Sequence, residues 1–304
     1  MTVLVLGGAD DEHARHVLER LQTRGVDAEL LDSRWFPTQM TIDFPLGAGE
    51  GTLHLPHGRR IKFADVRAVY WRNYGGVGSP VLPDEGQSYL ASNDARSLFE
   101  SVLQRLPAKW VNSWRAFQLH QTKPLQLAMV AELGVRVPAT VLTNNPATVR
   151  KFVRRHGSCI FKPVQGGAHT RRLTETHLTS EHLEHLALAP ITLQQEIPGT
   201  NIRVFVAGSR VLACEIATPE LDFRDDPAAR LFPHTLPHPM ETQCRAIAHA
   251  LDLRWTGMDF RLSPQGEYYF LEANPSPMFL GFERATHLPL TDSLIEVLTS
   301  TFCR

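Results

Sequence analysis

The segment WTGMDFRLSPQGEYYFLEANPSP, Trp255 to Pro277, constrains the fold more than any other part of the chain. Two strand-length runs flank Ser263-Pro264-Gln265-Gly266, where proline presets φ and glycine tolerates φ > 0. The segment is therefore predicted to be a β-hairpin. Pairing about that turn sets Leu262 against Glu267 and Asp259 against Phe270. Side chains alternate across a strand, so Met258, Phe260 and Leu262 share an apolar, core-facing side with Tyr269 and Leu271. The other side carries Asp259 and Arg261 with Glu272 and Asn274.

Two carboxylates and an amide thus converge on one side of a hairpin. Like charges about 4 Å apart repel by about 4 kcal/mol at an effective dielectric of 20. A hard divalent cation offsets that repulsion, because Mg²⁺ takes oxygen ligands, usually one or two carboxylates together with substrate phosphates. The competing reading is a solvated polar face with Arg261 as ion partner, and the hairpin alone does not choose between them.

The rest of the chain bears on the choice. A Mg²⁺ held for phosphate oxygens calls for cations on neighbouring strands and a glycine-rich cover. Lys162 lies within Cys159-Ile160-Phe161-Lys162, where an unpaired ammonium would be costly to bury. A phosphate gives it a partner, and a Gly166-Gly167 turn lets backbone N–H groups approach the same anion. Otherwise Lys162 is a surface lysine at a strand end.

The remaining pattern is α/β. Thr2 to Leu6 reads as a buried strand, Ala9 to Arg24 as a helix stopped by Gly25, and Ala28 to Leu31 as the next strand. This βαβ opening predicts a parallel sheet. The Gly7-Gly8 turn lacks GxGxxG and reads as a plain turn; Gly75 to Pro80 lacks the ending of a P-loop and reads as a connector. Asp84 to Leu106 is expected to be helical, as is a single run from Ser113 through Lys123 to Gly134. The 304 residues, 43% hydrophobic, supply about two or three domains' worth of core. Boundaries are expected at 1–112, 113–192 and 193–304.

Composition excludes several classes. A net charge of −1 gives no general attraction to nucleic acid or an anionic membrane. The four cysteines are widely spaced, without a CxxC pair. The acidic start is a poor signal peptide, and no apolar run is long enough to span a bilayer, so a cytoplasmic protein is expected. His182 and His185, with His177, read as an exposed helix face. GxSxG and HExxH are absent, which disfavours hydrolases.

Taken in order, Lys123, Lys162 with Gly166-Gly167, Gln194-Gln195-Glu196-Ile197-Pro198-Gly199, Asp259, Glu272 and Asn274 resemble the ATP-grasp ligases over residues 110 to 304, with a pre-ATP-grasp domain before them. The resemblance implies an α/β (α+β) ATP-grasp fold, with an N-terminal parallel-sheet domain followed by two subdomains that hold the nucleotide between them. It implies that Lys123 and Lys162 contact ATP phosphates under a loop containing Gly166 and Gly167. Gln195, Glu196 and Ile197 would receive adenine through backbone groups. Asn201 stands where the family often has a ribose-binding acid. Asp259, Glu272 and Asn274 match its Mg²⁺ ligands.

Asn201-Ile202-Arg203-Val204 and Asn274-Pro275-Ser276-Pro277 look RimK-like. Asp32 through Thr38, Val69 to Arg72, Lys123 to Leu127, Thr143 to Pro146 and Leu221 to Arg224 are similar to ATP-grasp maturases of ribosomal peptides, the graspetide macrocyclases. That likeness implies attack of a carboxylate on ATP to give an acyl phosphate and ADP, then displacement of phosphate by an amine or hydroxyl. Arg203 would bind the carboxylate, and Arg224, in a long polar connector, either touches substrate or pairs with Asp222, Asp225 or Asp226. His234 is a weak base candidate. The implied substrates are peptide or small-molecule carboxylates and amines or hydroxyls, and the implied assembly is a homodimer. Two alternatives stay open: a ligase of free amino acids or small acids, and a non-catalytic ATP-binding module.

Overall fold

The computed structural model describes residues 1–46, 51–78, 80–165 and 168–300, and only the backbone of Arg224. The chain divides into two units: Met1–Trp114 with Met278–Leu280 and the segment from Pro289, and Arg115–Pro277 with Gly281–Leu288.

In the first unit, β1 (Thr2–Leu6) is buried at every position, as a strand covered on both faces must be. It pairs in parallel with β2 (Ala28–Leu31) on one side. On the other lies β6 (Val66–Trp71), which pairs in turn with β7 (Lys109–Val111). Between β2 and β6, β3 (Thr41–Asp43), β4 (Thr52–His54) and β5 (Arg60–Lys62) form a small antiparallel sheet. Helix α1 (Glu12–Thr23) starts at Asp11, whose side chain accepts from the Ala14 N–H, and buries Ala14, Val17 and Leu21. Helix α2 (Glu85–Arg105) is capped by Asp84.

The expected single helix from Ser113 to Gly134 is two, α3 (Trp114–Gln121) and α4 (Lys123–Glu132). Pro124 has no N–H and fits only a first helical turn, so a new helix begins there.

In the second unit, one antiparallel sheet has the order β10 (Arg171–Arg172), β9 (Cys159–Pro163), β11 (Ile191–Gln195), β8 (Thr140–Thr143). One of its faces packs Val149, Cys159, Leu183, Leu186 and Leu193 with α5 (Pro146–His156) and α6 (Ser180–Glu184). A second sheet runs β14 (Arg230–His234), β13 (Arg210–Ala217), β12 (Thr200–Ala207), β15 (Trp255–Leu262), β16 (Tyr268–Asn274). Its core face buries Ile202, Val204, Met258, Phe260, Phe270 and Ala273 against residues of α4 and α7 (His238–Ala250).

Gly199, at φ 133°, enters β12 so close to Leu262 that a Cβ would lie 1.9 Å from its carbonyl oxygen. The chain ends in α8 (Leu280–Thr286) and α9 (Leu290–Thr299). Among the described residues no helix is long and apolar enough to cross a membrane.

Candidate functional site

The hairpin forms, but its register differs from the expected one. Leu262 pairs with Tyr268, not Glu267, and Phe260 pairs with Phe270. A β-bulge then inserts Leu271, so Asp259 sits opposite Glu272 rather than Phe270. Tyr268 and Phe270 consequently take the core places expected for Tyr269 and Leu271. The one-residue slip would have turned Glu272 into the core; the bulge returns it to the polar side. Asp259, Arg261, Leu271, Glu272 and Asn274 therefore share that side with Asn201 and Arg203 of β12, which pair with Arg261 and Asp259.

Both carboxylates are held by cations. Arg203 donates to Asp259 from Nε at 2.5 Å and Nη2 at 3.0 Å, a two-pronged contact. Its guanidinium lies 5.3 Å from the Phe282 ring centroid and 5.7 Å from that of Phe223. Lys123, at the start of α4, donates to Glu272 at 2.5 Å. Burial pushes the Asp259 pKa up, Arg203 opposes this and Glu272 adds to it, so the carboxyl stays above its ordinary value. Burial also pushes Glu272 up, but Lys123, aided by Lys162 and His120, outweighs it and holds Glu272 below.

Gln126, one turn after Lys123, sets this alignment. Its amide donates to the Ala273 carbonyl at 2.9 Å and accepts from the Ala273 N–H at 2.8 Å. A buried side chain thus satisfies the β16 backbone between Glu272 and Asn274 and holds α4 in register with the site. Asn274 Oδ1 accepts from Ser276 N at 2.8 Å, orienting the amide before Pro275. Asp259, Glu272 and Asn274 offer only oxygen donors on one side of the hairpin, a set that fits a hard divalent cation.

A cavity open to solvent lies between the two sheets of this unit. Lys162, Gln195, Glu196, Ile197 and Asn201 line it, as do Arg261 and Leu271. Lys162 reaches the cavity on the side of β9 opposite the core residue Phe161. The Gln195 and Glu196 N–H groups donate to Ala139 O and Ser158 O, and the Glu196 carboxylate accepts from Arg172 Nε and Ser158 Oγ. Arg261 donates to Ile197 O at 3.0 Å and to Asn201 Oδ1 at 2.8 Å, and burial lowers its pKa. Because Arg261 has donors only, Asn201 must turn its oxygen toward it, which leaves Nδ2 buried without a partner.

Gln126 and the cavity wall residues Pro138, Ile160, Leu221 and Leu271 were not singled out for the site, and Gln194 only as part of the LQQEIPG run. Arg261 was expected on the polar side as an ion partner of the acids; it bonds Ile197 O and Asn201 Oδ1 instead. Gly166 and Gly167 lie outside the described residues, as does the Arg224 side chain. Two of the acids proposed as Arg224 partners bond elsewhere: Asp225 with His169, and Asp226 with Thr218 at 2.6 Å. His234 bonds the Tyr268 hydroxyl at 2.8 Å, and that ring packs on the core side, away from the carboxylates. His177 and His182 bond the hydroxyls of Thr174 and Thr179.

No family model matches the chain. Among solved structures it is similar to the ATP-grasp ligase PsnB complexed with a phosphomimetic variant of a minimal precursor, Mg and ADP: 33% identical, TM-score 0.84, 98% of each chain covered. It is 29% identical to the vancomycin C-type resistance protein VanC1 of Enterococcus gallinarum, over 57% of this chain and 55% of that protein. It is 28% identical to a probable alpha-L-glutamate ligase 2 of Shewanella amazonensis, over 57% of this chain and 61% of that protein. The chain thus spans between half and two thirds of the curated relatives it matches, and nearly all of PsnB.

Proposed function

The chain belongs to the ATP-grasp ligases, and from that premise we propose that it joins a carboxylate to an amine or hydroxyl of a peptide at the expense of ATP. One observation carries the reading. Asp259 and Glu272 face each other across β15 and β16, each paired with a cation, beside a cavity lined by Lys162 and residues 194–197. The precursor bound to PsnB supports a peptide substrate over a free amino acid. The motifs shared with the graspetide macrocyclases support an intramolecular ester or amide.

In the mechanism, a carboxylate oxygen of the substrate bonds to the γ-phosphorus of ATP as the bond to the β-phosphate oxygen breaks. ADP leaves and an acyl phosphate remains. An amine or hydroxyl then attacks the acyl carbon, phosphate departs and the nucleophile's proton is released. Asp259, Glu272 and Asn274 would hold Mg²⁺, which supplies charge neutralisation for phosphate oxygens when bound.

Lys162 and Lys123 would carry phosphate charge, Lys123 exchanging Glu272 for phosphate. Gln195, Glu196 and Ile197 would wall the base. With the Gln195 and Glu196 N–H groups committed, any backbone contact to the base there falls to carbonyls and to Ile197. Asn201 would turn Nδ2 to a ribose hydroxyl. Arg203 gives Asp259 two of its five N–H donors, and its flat fork between Phe223 and Phe282 suits an incoming carboxylate and the oxyanion formed later. Gly166 and Gly167 would close over the phosphates and exclude water from the acyl phosphate. Arg224 would reach the substrate from its connector. A homodimeric, cytoplasmic enzyme belongs to the same proposal; the homodimer rests on the resemblance alone.

The test is ADP release with Mg²⁺ and ATP across candidate peptides and free amino acids, with mass spectrometry of the products. Loss of one water per bond from a peptide is expected. Turnover of free amino acids with peptides untouched would replace this reading with that of a small-substrate ligase.

A further inference from the structure

We propose that Gln126 is a positioning residue that fits the cation site to Mg²⁺ rather than to the larger Ca²⁺. The inference rests on the reading of Asp259, Glu272 and Asn274 as ligands of a divalent ion, and it assigns what tunes that site. Gln126 acts on the backbone between two of these residues, not on their side chains.

Strand β16 is an edge of the five-stranded sheet, and among the described residues no strand pairs with its outer side. The bulge at Leu271 interrupts the ladder just before Glu272, at a point where a strand bends and its twist increases. Side chains two apart share a face, so Glu272 and Asn274 aim together only while the Ala273 peptide between them keeps its orientation. Gln126, 2% exposed, stands in for the missing neighbour. Its amide accepts from Ala273 N–H at 2.8 Å and donates to Ala273 O at 2.9 Å, the exchange that a paired strand would make. His120 Nδ1 lies 3.2 Å from the same carbonyl, and because a carbonyl only accepts, the ring donates there.

Mg²⁺ needs near-ideal octahedral geometry at about 2.0–2.1 Å, whereas Ca²⁺ tolerates irregular oxygen sets at about 2.3–2.6 Å. Ligands on a loosely held edge therefore suit the larger ion, and ligands fixed through their backbone suit the smaller. Lys123, one turn before Gln126 on α4, bonds Glu272 directly, so one helix sets both the charge around this ligand and its position. An apolar residue at position 126 would fill the same space and leave two Ala273 groups unpaired.

The test titrates ATP into the full chain by calorimetry over a series of Mg²⁺ and Ca²⁺ concentrations. The readout is the concentration of each ion that gives half of its tightening of ATP binding. Gln126→Met keeps the length of the side chain and removes both bonds. It is expected to raise the Mg²⁺ requirement about tenfold or more and the Ca²⁺ requirement much less, so that the preference for Mg²⁺ narrows. A residue that only stabilised the fold would move both ions alike. Where Gln126→Met fails to fold, His120→Phe decides: it removes one donor to the same carbonyl and should narrow the preference by a smaller factor. Equal changes for the two ions in the deciding variant, or none, would overturn the inference and leave the ion reading intact. Wild-type ATP binding that neither ion tightens would overturn both.

Discussion

Two acid–arginine clusters in this chain use the same residue types to opposite ends. At the Gly7-Gly8 turn, Arg34 bonds Asp32 and Asp10, and Arg72 bonds both oxygens of Asp11 at 3.1 Å. The turn's backbone is committed as well: Gly8 N–H donates to Asn73 Oδ1 at 2.9 Å and Ala9 N–H to Asp32 at 2.8 Å. Burial raises Asp32, yet Arg34 and the two N–H groups outweigh it, so its pKa stays below the ordinary value.

On β15 and β16 the balance reverses. Asp259 has one bidentate arginine, faces a second carboxylate and sits above its ordinary value. Beside it Gln194 Oε1 and Asn201 Nδ2 are buried without partners. A saturated cluster is a structural joint, whereas one with unmet acceptors and opposed charge has use for a ligand. The same contrast explains why the glycine turn of the first unit is not an anion cradle: a buried carboxylate already fills it.

The comparison breaks most visibly at Glu272. Glu272→Ala is expected to lower ADP formation by about a hundredfold or more while circular dichroism and the unfolding midpoint hold. The side chain is partly solvent-exposed on the polar face and carries no core packing. Near-normal turnover would remove Glu272 from the site. Lys162→Met comes next: it should weaken ATP by about tenfold, read by nucleotide titration, and unchanged affinity would contradict the phosphate role.

Asp32→Asn sharpens the other half. It should leave nucleotide affinity unchanged and cost about 1–2 kcal/mol in urea unfolding at pH 7. The figure is modest because Arg34 is 44% exposed. The lowered pKa of Asp32 sets the sign of the pH dependence. Its contribution is present above the ordinary carboxylate range and is lost as pH falls through its folded value, so the variant should show a flatter acid limb. The smallest effect is expected at the buried thiols. Burial pushes Cys214 up to about 11 and Cys244 up to about 12, so neither should be alkylated in the native state at pH 8. Peptide mapping after iodoacetamide checks this.

Much of this organisation is legible in the chain. The β1–α1–β2 opening follows from apolar runs and Gly25, and the hairpin from its Ser-Pro-Gln-Gly turn. The convergence of Asp259 and Glu272 on one side of the hairpin was reached through a register that the structure does not adopt, one that set Asp259 against Phe270. The bulge at Leu271 offsets the slip, and no local signal announces a bulge of that kind. Gln194 and Thr140 stayed hidden for another reason: they face each other across β11 and β8, 54 residues apart in the sequence, and an amide in a strand reads as ordinary until its partner is known. The association of the segment from Pro289 with the first unit is likewise a tertiary outcome. Lys109, buried, donates to Ser300 Oγ at 2.7 Å, a contact that no periodicity encodes.

Calorimetric titration of ATP, with and without Mg²⁺, in the wild type and in Glu272→Ala tests the central claim most directly. A divalent ion held at the bulged hairpin predicts that Mg²⁺ tightens ATP binding in the wild type and that Glu272→Ala abolishes most of this gain. An equal Mg²⁺ effect in both proteins would contradict it.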